Sequence, residues 1–227
     1  MGMESLHCIR TLQLVDSFFP VGAFAYSDGL ETAVAGARVR DAVSLGEWME
    51  HFLENVFAPC EGLALVKCML ALEAGDLDAL RRIDEELTAI RPAAEVRSAS
   101  AGIGKRLLSL YTAIYGTERF GRDGLMLPHG NAAATYAVVF FQCGLGPREA
   151  ALAFGYNRLA GIVSAGLRLI SMGQQQGQLL LTKNLNRLPE VIERMLQMKD
   201  EPLRSFNPLL DIDQMNHQYI YSRLFRS

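Results

Sequence analysis

The sequence has no surplus of positive charge. Its 22 Lys and Arg face 25 Asp and Glu, a formal net charge of −3 with pI ≈ 5.8. A broad basic face for nucleic acid needs Lys and Arg in excess of acids to neutralise phosphates, which argues against that class and leaves room only for a local basic patch. Cysteine is scarce: Cys8, Cys60, Cys68 and Cys143 form no C-x-x-C pair and no disulfide-framework spacing. They read as reduced, buried apolar side chains of a cytoplasmic protein rather than as metal ligands. The histidines His7, His51, His129 and His217 stand far apart. None is four residues from another His or Cys, so no H-E-x-x-H type site exists. Uninterrupted runs of about 18 apolar residues are absent, so no membrane-spanning helix is expected. The first residues, "MGMESLHCIRTLQLVDSFF", have no basic segment followed by an apolar core and do not read as a signal peptide. Strand alternation, hairpin signals and fixed-period repeats are lacking as well.

What the chain does have is helical spacing almost throughout. Its 227 residues are 50% hydrophobic, enough for one well-buried domain. Ser44-Leu45-Gly46-Glu47 reads as a capping box, with Leu45, Trp48, Met49, Phe52, Leu53 and Val56 on one apolar stripe behind it. Pro59 is expected to close that helix. Another runs from about Glu61 to Ala74 and stops at Gly75, after which Asp76 caps a helix with Leu77, Leu80, Ile83, Leu87 and Ile90 on one face. Pro92 ends that helix. The segment 93–115 is rich in small residues that let a neighbour approach closely, and Gly116 to Gly130 is the best loop. "NAAATYAVVFFQCGL" reads as helix, Gly146-Pro147 starts another with proline at N1, and 148–170 is apolar on most sides. Pro189 is expected to open one more helix, and from Leu203 onward the pattern is lost. The fold class is all-α, a single-domain helical bundle (residues 1–202) with a C-terminal extension (residues 203–227).

Catalytic motifs are missing. "SAGIGKRL" has Ala99 where a phosphate-binding loop needs its first glycine, and Arg106 where it needs a hydroxyl. Neither a G-x-S-x-G elbow nor a dinucleotide G-x-G-x-x-G after a strand occurs.

Two stretches resist a purely structural reading. In "LVDSFFPVGAFAYSDGLETAV" a helical pattern breaks at Phe18-Phe19-Pro20, and Tyr26, Ser27, Asp28 and Glu31 follow together. If a helix starts near Tyr26 or Ser27, then Ser27, Asp28 and Glu31 serve its free amides and its dipole. Tyr26 is left unexplained. The tail alternates Tyr219, Ile220, Tyr221, Leu224 and Phe225 with Arg223 and Arg226. Aromatics and arginines dominate binding hot spots, so this is either a partner-binding element or a segment folding back on its own domain. A helical enzyme using Tyr26, Asp28 and Glu31 as acid/base groups is an alternative, as is a helical metal carrier.

The motifs together resemble the urease accessory protein F (UreF) family. The resemblance runs through Leu12-Gln13-Leu14-Val15-Asp16-Ser17, Phe19-Pro20-Val21-Gly22-Ala23-Phe24 and Tyr26-Ser27-x-Gly29-Leu30-Glu31. It continues in Glu95-Val96-Arg97-Ser98-Ala99-Ser100, Arg168-Leu169, Gly173-Gln174 and Gly177-Gln178. It closes with Leu209-Leu210-Asp211-Ile212, Met215, His217 and Ser222-Arg223-Leu224-Phe225-Arg226-Ser227. The resemblance implies a non-catalytic, all-α chaperone without a cofactor. Such a protein assembles with UreD/UreH and the GTPase UreG on the urease apoprotein, coupling the GTPase cycle to nickel insertion. It also implies a homodimer and a tail that becomes ordered on UreD/UreH. The partner-binding residues it points to are Tyr26, Ser27, Glu31, Tyr221, Arg223, Leu224, Phe225 and Arg226, with the tail arginine Arg223 meeting Tyr26. Ala25 stands where the family often has serine, and Asp28 at a variable position, so contacts through those two side chains are not carried over.

Overall fold

The computed structural model describes residues 2–116 and 127–226. Among them there is helix and no strand, the all-α class that the helical periodicity predicts. In chain order the helices are α1 (Gly2–Val15), α2 (Leu30–Ala35), α3 (Ala42–Phe52), α4 (Gly62–Ala74), α5 (Leu77–Ala89), α6 (Ala94–Tyr115), α7 (Ala132–Gln142), α8 (Pro147–Leu169), α9 (Gln174–Gln197) and α10 (Pro208–Asn216). The expected loop Gly116 to Gly130 falls largely on residues 117–126, outside the described residues.

The apolar pattern decides which helix lies in the middle. α4 is apolar on every side, and Leu63, Leu65, Val66 and Met69 are fully buried. It packs against α5, α7, α8 and α9, as a helix without a polar face must. α7 is equally apolar and is sandwiched between α4 and α6. The small residues of α6 permit this contact: a Cβ on Gly104 would overlap the Gly130 carbonyl oxygen at the start of α7. The loop there is held by Asp84, which is fully buried on α5. Its carboxylate accepts the backbone N–H groups of His129 (2.7 Å), Gly130 (2.9 Å) and Asn131 (2.8 Å), and the Asn131 side-chain amide (2.8 Å). A buried carboxylate survives only with such a set of donors.

Gly75 takes the left-handed conformation (φ +70°) that ends α4, and the Asp76 carboxylate accepts from the Ala79 amide at 2.8 Å. Pro147 opens α8 at N1. All three match the pattern of turn and cap residues.

Four expectations are corrected. The cap of α3 is Asp41, not Ser44: Asp41 accepts from the Ser44 amide at 2.9 Å, while the Ser44 hydroxyl accepts from the Asp41 amide at 3.2 Å. The box is the expected device three residues earlier, because an extended Asp41 carboxylate reaches the third amide as well as a serine would.

Pro59 does not close its helix. A π-helical segment, Leu53–Glu61, joins α3 to α4. Proline has no N–H and crowds the carbonyl four residues back, and the wider turn relieves that crowding. The freed Asn55 carbonyl is taken by the Asn207 side-chain amide at 2.7 Å. The resulting rod, Ala42–Ala74, contains an 18-residue stretch of mean hydropathy 1.4, long and apolar enough to cross a membrane. That stretch is 67% buried inside the fold, so its apolar side chains already have protein partners.

Pro189 likewise opens no new helix but lies inside α9. Leu181, Leu188, Val191, Ile192 and Met195 are buried on both sides of it, and that shared burial outweighs one lost hydrogen bond.

The irregular tail, finally, contains α10, with Pro208 at N1, and a 3₁₀ turn at His217–Tyr219. The linker before it is stitched to the π-helical segment, since the Arg204 amide donates to the Pro59 carbonyl at 2.9 Å.

Candidate functional site

Two distant pieces of sequence meet in one place. The first is the break after α1, where the Asp16 carboxylate accepts the Phe18 amide at 2.6 Å and turns the chain. Phe19 enters the core while Phe18 stays 91% exposed. Asp28 (φ +52°) and Gly29 (φ +88°) then take consecutive left-handed conformations, which swing the chain into the short α2. The second piece is α10 and the tail, which lie across that turn.

Gly29 is required for the crossing. Beyond its backbone angle, a Cβ there would sit 3.1 Å from Leu210 Cδ1, 3.2 Å from Gln214 Cγ and 3.3 Å from Asp213 Cβ. All three atoms belong to α10, so any side chain would push that helix away.

Glu31 is the anchor. It lies in the first turn of α2, as its expected service to the helix dipole requires, and it is buried at 5% exposure. Its Oε2 accepts from His217 Nε2 (2.6 Å) and from the Phe225 amide (3.2 Å), and its Oε1 accepts from the Leu224 amide (2.7 Å). Ser27 supplies the local function expected of it, since its hydroxyl accepts the Glu31 amide at 3.4 Å.

Around this anchor, Arg168 of α8 lies between two rings, 4.3 Å from the Phe24 centroid and 3.9 Å from that of Phe225. It also donates to the Phe24 carbonyl at 2.7 Å. Burial lowers the pKa of this guanidinium below its ordinary value, and Glu31 opposes the shift. The Arg226 amide donates to the Ala25 carbonyl at 2.8 Å, so the backbones of both motifs touch directly. On the other side of Gly29, Arg38 pairs with buried Asp213. Burial raises the Asp213 pKa, and Arg38 pulls it back.

Asp28 belongs to a separate ion row. Arg158 donates through Nη2 to Asp28 (2.5 Å) and through Nε to Glu61 (2.7 Å), and Glu61 also pairs with Arg91 at 3.4 Å. Burial opposes the charge on Arg158, but the two carboxylates more than compensate and raise its pKa. Both oxygens of Glu31 and one of Asp28 are thus committed to protein donors. Among the described residues, no group of three or more His, Cys, Asp or Glu is placed to hold a metal ion.

Of the expected partner-binding residues, Ser27, Glu31, Leu224, Phe225 and Arg226 are brought together. Glu31 and Phe225 are buried in the joint itself (5% and 4% exposed). Tyr26 is half-buried beside α6, its hydroxyl 4.0 Å from where a Cβ on Gly102 would stand. Arg223 is exposed, and among the described residues no hydrogen bond joins it to Tyr26. Tyr219 (77%), Tyr221 (105%) and Leu224 (66%) project to the outside. Sequence reasoning quoted Gly29, Arg168 and His217 within the motifs but gave them no role, and it did not single out Arg158. Gly29 carried a signal, since an Asp-Gly pair directly before a helix marks a left-handed turn. The roles of the other three left no spacing to read, because their partners lie far off in sequence: Glu61 and Asp28 are 97 and 130 positions from Arg158, Phe24 is 144 from Arg168, and Glu31 is 186 from His217.

The UreF family model matches residues 39–184. Over its whole length the chain is 33% identical to the urease accessory protein UreF of Microcystis aeruginosa, covering 100% of both chains. It is 35% identical to that of Pseudomonas putida and 31% identical to that of Methylobacillus flagellatus, covering 99% of both chains in each case.

Proposed function

Since the chain belongs to the UreF family, we propose that it is a non-catalytic accessory protein of urease maturation, acting with UreD/UreH, UreG and the urease apoprotein. In this reading it works in the cytoplasm as a homodimer. It couples the GTPase cycle of UreG to nickel insertion by holding the partners in register. One observation carries the reading: the N-terminal and C-terminal motifs form a single joint at Glu31. That joint fixes the tail backbone while Tyr219, Tyr221 and Leu224 stay exposed. Aromatic and aliphatic side chains presented outward are what a protein-binding surface needs, and in this reading UreD/UreH orders the tail in the arrangement that the joint allows. The C-terminal tail, residues 203–227, is the element on which UreD/UreH docks in this proposal.

The test is co-expression with UreD/UreH and UreG, followed by size-exclusion chromatography with and without GTP. A ternary complex whose UreG content changes with nucleotide is expected. Elution of this chain apart from both proteins would overturn the proposal.

A further inference from the structure

Between α10 and the core lies a cavity of ≈ 450 Å³ that the joint at Glu31 does not use. Its size is that of small-molecule sites, about 300–1,000 Å³, and far above the voids of a packed interior. Trp48, Phe52, Val96, Phe154 and Ile162 give it aromatic and aliphatic walls, while residues 205–211 and Gln214 form its roof.

The charges around it select the ligand. Arg158 and Arg91 line the cavity but are matched by Asp28 and Glu61, which line it too. Arg38 is matched by Asp213. Two lining carboxylates remain, Glu47 and Asp211, and among the described residues neither has an ion pair. Glu47 is exposed at the mouth, whereas Asp211 is half-buried in the roof, where burial raises its pKa. A negative surplus over a wall with Trp48 and two phenylalanines disfavours anions. It suits a cation, which gains from both a carboxylate and a ring face.

We propose that this cavity binds a small organic monoammonium ion with an apolar body. The apolar part packs on Phe52, Phe154 and Ile162, and the ammonium group meets Asp211. Because the roof is α10 and its linker, an occupant bridges core and tail and stabilises the docked tail.

The test uses fluorine NMR titration of the full chain with 4-fluorophenethylammonium, 4-fluorobenzyl alcohol and 4-fluorobenzoate. Saturable binding of the ammonium is expected, with the alcohol about threefold to tenfold weaker and the benzoate weaker still. Asp211→Asn, a half-buried change, is expected to bring the ammonium to the affinity of the alcohol. Val96→Phe and, independently, Ala99→Leu fill the cavity and are expected to remove binding, with circular dichroism checking that each is folded. Lack of saturation by the ammonium, equal binding of the alcohol, indifference to Asp211→Asn, or binding retained by a folded cavity-filled variant would each overturn the proposal.

Discussion

Glu31 and His217 are 186 positions apart in the chain, yet their side chains meet at 2.6 Å with 5% and 1% of their surfaces exposed. Glu31 also accepts two tail amides, so one carboxylate fixes α10 and the last turn together. Removing one partner of a buried charged bond leaves the others without a counterpart, which costs more than the bond itself contributes.

Glu31→Gln keeps the volume but replaces one acceptor oxygen with an NH₂ that faces donors. A loss of about 2–3 kcal/mol is expected, read by urea unfolding. Amide hydrogen exchange at Leu224 and Phe225 should accelerate while that of α4 falls only with global stability. If those two amides exchange as in the parent protein, the carboxylate does not hold the tail.

Arg168→Lys keeps a positive charge but loses the flat group between Phe24 and Phe225. Stacking of this kind contributes about 0.5–2 kcal/mol, and Arg168→Met should cost a similar amount. The check is proteolysis of the tail: both variants should be cut faster after position 217. Wild-type protection in Arg168→Lys would mean that charge alone matters.

Asp84→Ala strips four donors at the start of α7 of their fully buried acceptor. The expected loss is about 3–5 kcal/mol, enough to leave little folded protein for a domain of ordinary stability. Asp84→Asn should lose less, since one oxygen remains. Equal melting temperatures for Asp84→Ala and the parent would show that the loop is held by something else.

The class of fold was legible because helices such as α3, α5 and α9 bury one apolar face at helical spacing, while α4 and α7 are apolar almost all round, and both patterns are local. Gly75, Asp76 and Pro147 were legible because caps involve neighbours in sequence. Pro59 and Pro189 misled for a related reason. The local penalty of a proline is real, but Asn207 satisfies one freed carbonyl and shared burial carries α9 through the other. The joint at Glu31 was half legible: the motifs on either side of it stood out and the resemblance brought them together, but through Tyr26 and Arg223 rather than through Glu31 and His217. Nothing in "SDGLE" announces a partner at position 217, because complementary residues far apart leave no spacing to read.

Asp41 provides a pH test at the surface. Its bonds with Ser44 lower its pKa below the ordinary value of 3.8. The folded value is depressed, so the stabilisation is fully present above the unfolded pKa. It is lost as pH falls through the folded one. NMR titration of Asp41 should therefore give a midpoint below that of an unstructured aspartate, with the Ser44 amide shift following the same curve. Ser44→Ala should move the midpoint back up. An unmoved midpoint in that variant would remove Ser44 as the cause.

Truncation after Tyr221 separates stability from recognition. Were the tail only a partner-binding element, loss of Ser222–Ser227 would leave melting almost unchanged. With Leu224 and Phe225 donating to buried Glu31 and the Phe225 ring on Arg168, a loss of about 2–4 kcal/mol is expected instead, with the helicity of α3 to α9 retained below the transition. Truncation therefore cannot report on binding by itself. Tyr221→Ala and Leu224→Ala can, because both side chains point outward (105% and 66% exposed), and such changes shift stability by about 0.5 kcal/mol or less. If the tail surface is where UreD/UreH docks, pull-down by that partner should fall about tenfold or more in the double variant at unchanged melting temperature. Normal capture by the double variant would place the partner elsewhere, leaving the tail as a strap across the fold.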